Sequence, residues 1–176
     1  MTNNLQPETI EFIDNYIEFT EKTTVYPKEK ALEYLIIGMN DELNEVADSP
    51  TAFLDKKELG DLGWYIFSFI RIFYIENPFD YVEDYKTELL SLGFTGNENL
   101  VSMIRYTLSR LKKHIRGDED YTLHITELVL IIADMYISYI ILNFGEQGLV
   151  GVLQDNQEKL LKRLDENKIH GDGDNR

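Results

Sequence analysis

Four carboxylates set in apolar stripes of helical period constrain this chain more than any other feature. Glu42-x-x-Glu45 and Glu58-x-x-Asp61 each place two acids three residues apart, and residues at i and i+3 of an α-helix share one face. Leu32, Leu35, Ile36, Met39, Leu43 and Val46 recur at helical spacing around the first pair, and Glu42 falls on that stripe. Leu62, Ile66, Phe69 and Phe73 form a second stripe, with Glu58 one turn before Leu62. Acids that continue an apolar stripe point inward, and inward acids need a compensating charge. Ser49-Pro50 lies in a connection long enough for the two helices to fold back as an antiparallel hairpin. Such a hairpin brings the four acids together, and hard divalent cations, Mg²⁺ above all, are the natural occupants of an all-oxygen cluster. The plain alternative is solvated surface, because a chain with 32 Asp and Glu contains E-x-x-E spacings by chance.

The rest of the sequence reads as helix throughout. Pro7 to Thr20, Lys28 to Ala47, Asp55 to Ile75, Asn97 to Arg116, Tyr121 to Asn143 and Val152 to Leu164 are predicted helices, with a shorter mixed segment from Phe79 to Leu92. Gly145, Gly148 and Gly151 are read as loosening the connection before the last helix, and no stretch alternates with period two for long enough to make a strand. The expected fold is all-α with a four-helix-bundle-type core, one domain over 1–176. An internally duplicated bundle with extra helices is the variant of that fold. Its halves would be about 28–76 and 93–143, with Asp134 matching Asp61 and Ile131 standing where Glu58 should be. The glycine-rich tail, 168–176, is expected to be mobile.

Composition limits the function classes. A net charge of −15 argues against binding to nucleic acid polymers or anionic membranes, since phosphate-backbone affinity rests on Lys and Arg. The chain has no cysteine, hence no thiolate metal site and no disulfide framework. The N-terminus lacks the basic and apolar regions of a signal peptide. The apolar runs Leu62 to Ile75 and Leu128 to Phe144 fall below the roughly 20 residues that span a bilayer, and are expected to be core helices. A cytoplasmic location is the corresponding expectation.

Several motifs together resemble a known family. Tyr26-Pro27, Tyr34 and Gly38 precede Glu42-x-x-Glu45; Glu58-x-x-Asp61 is followed by Trp64-Tyr65; Asn156-x-x-Lys159-Leu-x-x-Arg163 and a Gly-rich Asp-Asn-Arg176 ending close the chain. This set is similar to the MazG-like nucleotide pyrophosphohydrolases of the all-α NTP pyrophosphatase superfamily, related to the dimeric dUTPases. The likeness covers about residues 16–76 and 150–176. Residues 78–130 resemble either an insertion or the second repeat of the dUTPase-like branch.

The resemblance implies Mg²⁺-dependent hydrolysis of (d)NTPs to the monophosphate and pyrophosphate, as nucleotide-pool house-cleaning, with Mn²⁺ as a substitute metal. Glu42, Glu45, Glu58 and Asp61 would ligate the metal, and one of them, with Glu45 the first choice, would take a proton from the attacking water. Lys159 and Arg163, four apart on one helical face, are positioned to meet phosphates, with Asn156 on the same face and Arg176 closing over the nucleotide. Trp64, Tyr65 and Tyr34 are candidates to stack on the base, against the plainer reading that they are core. His114, His124 and His170 show no metal-ligand spacing. The expected partner is a nucleoside triphosphate, and the expected assembly is a homodimer or higher homo-oligomer. Two other classes remain open: a di-metal carboxylate bundle, although no Glu-x-x-His pair occurs, and a non-catalytic acidic helical interaction module.

Overall fold

The computed structural model describes residues 5–49, 54–73 and 97–168. Helices α1 (Pro7–Phe19), α2 (Ala31–Asp48), α3 (Lys56–Ile72), α4 (Asn97–Arg116) and α5 (Thr122–Asp165) pack around one core, with 3₁₀ turns at Thr20–Thr23 and Lys28–Lys30. No strand occurs among the described residues. The chain is all-α, with a helical-bundle core.

The starts of the first three helices have local causes. Pro7 opens α1, where its fixed φ suits the first turn and its missing N–H is no loss. Thr9, Ile13, Tyr16 and Phe19 form its buried side. The Thr20 hydroxyl donates to the Ile17 carbonyl at 2.7 Å as the helix tightens into the first 3₁₀ turn. Pro27 is extended (φ −66°, ψ 140°), so Lys28–Lys30 make a separate 3₁₀ turn and α2 starts at Ala31 rather than at Lys28. Asp55 lies outside α3 and caps it, accepting from the Lys57 N–H at 3.0 Å and from the Ser49 hydroxyl at 2.8 Å. One carboxylate thus ties the end of α2 to the start of α3, and these two hydrogen bonds hold its pKa below the ordinary aspartate value.

The α2–α3 hairpin is antiparallel, with Gly38 against Tyr65 and Glu42 near Asp61. Both arms of α5 cross the far side of α3 at glycines. A Cβ on Gly63 would lie 2.3 Å from the Tyr136 hydroxyl oxygen, and one on Gly60 would lie 3.0 Å from the Cβ of Asn156. Tyr136 donates to the Leu59 carbonyl at 2.8 Å, locking that crossing. The hairpin of α4 with the first arm of α5 completes the bundle, joined through Leu100, Met103, Ile104 and Leu111.

The C-terminal helices differ from the sequence reading. Helix resumes directly after Gly145 rather than at Val152, giving arms at 122–144 and 146–165. Of Gly145, Gly148 and Gly151, Gly145 alone takes a positive φ, 73°, a conformation that favours glycine. Gly148 stays helical and leaves room for Phe144, whose Cβ a side chain at 148 would meet at 2.3 Å. By length and composition α5 could cross a membrane, yet most of its apolar window is buried inside the bundle. The predicted segment from Phe79 to Leu92 lies outside the described residues, as do the first residues of the suggested second repeat and the tail beyond Lys168.

Candidate metal centre

The hairpin gathers three of the four predicted acids. Glu58 and Asp61 lie on one face of α3, and Glu42 reaches the same point from α2; one oxygen from each lies within 4.8 Å of the other two. Oxygens on a six-coordinate Mg²⁺ are about 3 Å apart when cis and about 4.2 Å when trans, and three ligands include at least two cis pairs, so the carboxylates must draw closer together to share one cation. Glu45, one turn along α2, is exposed and stands outside this group.

The cluster is crowded with negative charge. Burial first, then the Asp61 and Glu45 carboxylates, push the Glu42 carboxyl up to about 8, with Lys159 opposing and Glu58 adding to the rise. Glu58 is nearly enclosed, its side chain 13% exposed. Its Oε1 lies 3.1 Å from the Lys57 ammonium, whereas its buried Oε2 has no hydrogen-bond partner. A buried acceptor left unpaired costs about 1–3 kcal/mol, and more when the group is charged. A divalent cation would supply the missing partner. The donor set is entirely carboxylate oxygen, which suits Mg²⁺ or Mn²⁺ rather than a thiophilic metal.

The second arm of α5 delivers the cationic and amide groups. Asn156, buried, donates from Nδ2 to Asp61 Oδ1 at 2.7 Å. Lys159, one turn further, places its ammonium against both Asp61 oxygens. The Tyr16 hydroxyl donates to Asn156 Oδ1 at 2.7 Å. Burial, with smaller contributions from Tyr136 and Asp61, holds the Tyr16 pKa well above its ordinary value, so this hydroxyl stays a neutral donor. Arg163 lies one turn beyond Lys159 and is half-buried. Arg176 lies outside the described residues.

The aromatic candidates divide. Trp64 is buried and its indole N–H donates to Thr23 Oγ1 at 2.8 Å, so this ring belongs to the core. Tyr65 is half-buried, with its ring over Gly38 and 6.0 Å from that of Tyr34, on the helix face that carries Glu58 and Asp61. Tyr34 stacks on Tyr26 with centroids 4.5 Å apart. His114 and His124 lie far from this arrangement in the chain, 3.5 Å from Asp120 and 3.8 Å from Glu127 respectively. Asp134 is buried in the first arm of α5.

Two residues of the site escaped the sequence reading. Tyr16 counted only as an apolar member of α1, although a buried tyrosine hydroxyl needs a polar partner, which was the available signal. Lys57 carries no signal beyond its place beside Glu58. Comparison with protein-family profiles, with curated proteins and with solved structures finds no match to this chain.

Proposed function

We propose that the chain is a Mg²⁺-dependent nucleoside triphosphate pyrophosphohydrolase, cleaving (d)NTPs to (d)NMP and pyrophosphate, with Mn²⁺ as a substitute. The observation that carries this reading is the convergence of Glu42, Glu58 and Asp61 from two helices onto one point, with a buried, unpartnered oxygen of Glu58 among them. Lys159 and Asn156 border the same point from a third segment. Anhydride cleavage asks little covalent chemistry of a protein; it asks for charge neutralisation and in-line placement of a water.

Glu42, Glu58 and Asp61 would hold the metal, with Glu45 one turn along α2 outside the group. When bound, the cation neutralises phosphate oxygens and lowers the barrier to attack by water. Asn156 keeps Asp61 oriented, and Tyr16 keeps Asn156 oriented. Lys159 and Arg163 meet the phosphates, the guanidinium as a two-pronged donor. Glu45, exposed and one turn from Glu42, takes the proton of the attacking water at its carboxylate. Tyr65, on the same face as Asp61, is the aromatic ring placed to meet a base.

Pyrophosphate release from a panel of canonical and modified nucleotides, with Mg²⁺ and with Mn²⁺, tests the reading. Release is expected from at least one triphosphate, falling by a factor of about 100 or more in Asp61→Asn with the helical circular-dichroism signal retained. No release across the whole panel would end it.

A further inference from the structure

Asp61 has little left to offer a metal. A carboxylate presents about four lone-pair sites, and three are engaged: Oδ1 by Asn156 and Lys159, Oδ2 by Lys159. The Asn156 contact is fixed from behind by Tyr16. The Lys159 contact is the one that can move, because a lysine ammonium is a point charge on a flexible four-carbon stem. The pair is only partly buried, with side chains 21% and 18% exposed, so the ammonium has a route toward solvent. Lys57 is a different case: it touches Glu58 from the adjacent position, and its own side chain is 42% exposed.

We infer that Lys159 is an exchangeable counter-ion of the carboxylate cluster. Its ammonium occupies the Asp61 side of the site until a divalent cation enters, and entry swings it off Asp61 to where an incoming phosphate meets it. The inference rests on the divalent-cation reading of the cluster and adds to it a competition. Lys159 and the cation bind the same oxygens, so each weakens the other's hold by the same factor. Lys159 keeps the cluster folded while no metal is bound, and becomes free for phosphate only after the metal has arrived. Metal would therefore bind before nucleotide or together with it.

Calorimetric titration of MnCl₂ into the wild-type chain and into Lys159→Met tests the competition. The variant is expected to bind Mn²⁺ at least about tenfold more tightly, since its competitor is gone. Its metal-free melting temperature is expected to be lower, with the deficit closing at saturating MnCl₂. A second measurement on the wild-type chain is independent of the variant's folding: acylation of lysines by an N-hydroxysuccinimide ester, read residue by residue by mass spectrometry. Acylation of Lys159 is expected to rise severalfold when MnCl₂ is added, while that of Lys22 and Lys112 stays constant. Mn²⁺ binding that is no tighter in Lys159→Met, or Lys159 acylation that Mn²⁺ leaves unchanged although Mn²⁺ binds, overturns the exchange and spares the metal site. Failure of the wild-type chain to bind Mn²⁺ overturns both.

Discussion

The Tyr16 hydroxyl, on the first helix, donates to Asn156 Oδ1 at 2.7 Å across 140 residues of sequence. The carboxylate, which only accepts, decides which end of the amide faces it: Nδ2 donates to Asp61 at 2.7 Å, and Oδ1 is left to accept from the hydroxyl. A reversed amide would set a carbonyl oxygen against Asp61 and lose that bond, although its Nδ2 could still donate to the Tyr16 oxygen. Helix α1, which contributes no acid to the cluster, therefore braces the amide that holds one of its members.

Tyr16→Phe removes only the oxygen and leaves the ring in its contact with Phe67. It strands the buried Asn156 Oδ1, at a cost of about 1–3 kcal/mol. Urea unfolding is expected to show that loss. Pyrophosphate release is expected to fall through kcat more than through KM, because Asp61 is held less firmly while the phosphate contacts persist.

Glu42 makes metal-free stability depend on pH. Its carboxyl is pushed from 4.5 up to about 8 in the folded chain, so the folded state holds that proton more tightly than the unfolded one. The stabilisation is complete below the ordinary glutamate value and is lost as pH rises through about 8. In EDTA the wild-type chain is expected to lose stability steadily across that window. Glu42→Gln is expected to flatten the profile and to be more stable than wild type at pH 8 by about 1–3 kcal/mol. Saturating Mn²⁺ is expected to reverse the order, since ligand binding stabilises the chain that holds the ligand better.

Much of this arrangement was legible in the sequence, and the limits follow from physics. Glu42 and Glu58 announce themselves because each continues a helical apolar stripe, and one-dimensional periodicity records which side of a helix a residue takes. Glu45 shares its spacing with Glu42 yet is exposed, because a three-residue step turns the helix 60° short of a full revolution and only one of the pair faces α3. Asn156 and Lys159 were legible as one face, but not as partners of Asp61. That pairing depends on how closely α5 approaches α3, which Gly60 and Gly63 set. The three glycines after Phe144 look alike in sequence, and only the backbone shows that Gly145 alone breaks the helix.

Gly38 is the corresponding close approach on the other side of α3. A Cβ there would lie 2.0 Å from Tyr65 Cε1, well inside contact distance, so the ring must move. Gly38→Ala gains helix propensity, about 1 kcal/mol, but forces Tyr65 out of place at a cost of about 1–3 kcal/mol. A net loss of stability is expected. Reduced Mn²⁺ affinity should accompany it, because Glu42 lies one turn along from Gly38 and Asp61 one turn back from Tyr65. Tyr65→Leu in the Gly38→Ala background is expected to restore part of the stability, and a melting-temperature comparison of the two variants with wild type checks this.

Trp64 is the only tryptophan in the chain, which makes it a clean reporter of whether its ring meets nucleotide. It is buried, its N–H is committed to Thr23 Oγ1 at 2.8 Å, and its ring packs nearly perpendicular to those of Tyr26 and Tyr65. Its fluorescence is therefore expected to be blue-shifted, as for an indole away from water, and to change little when nucleotide and Mn²⁺ are added. Quenching on addition of a purine triphosphate would instead place the base directly on the indole. Trp64→Phe deletes the hydrogen bond and part of the buried ring. It is expected to destabilise the chain by about 1–3 kcal/mol while leaving KM for nucleotide unchanged. Tyr65→Leu is expected to show the opposite balance, raising KM severalfold, because its ring lies on the face of α3 that carries the acids. Parallel measurements of urea unfolding and pyrophosphate release on the two variants separate the core aromatic from the one at the site.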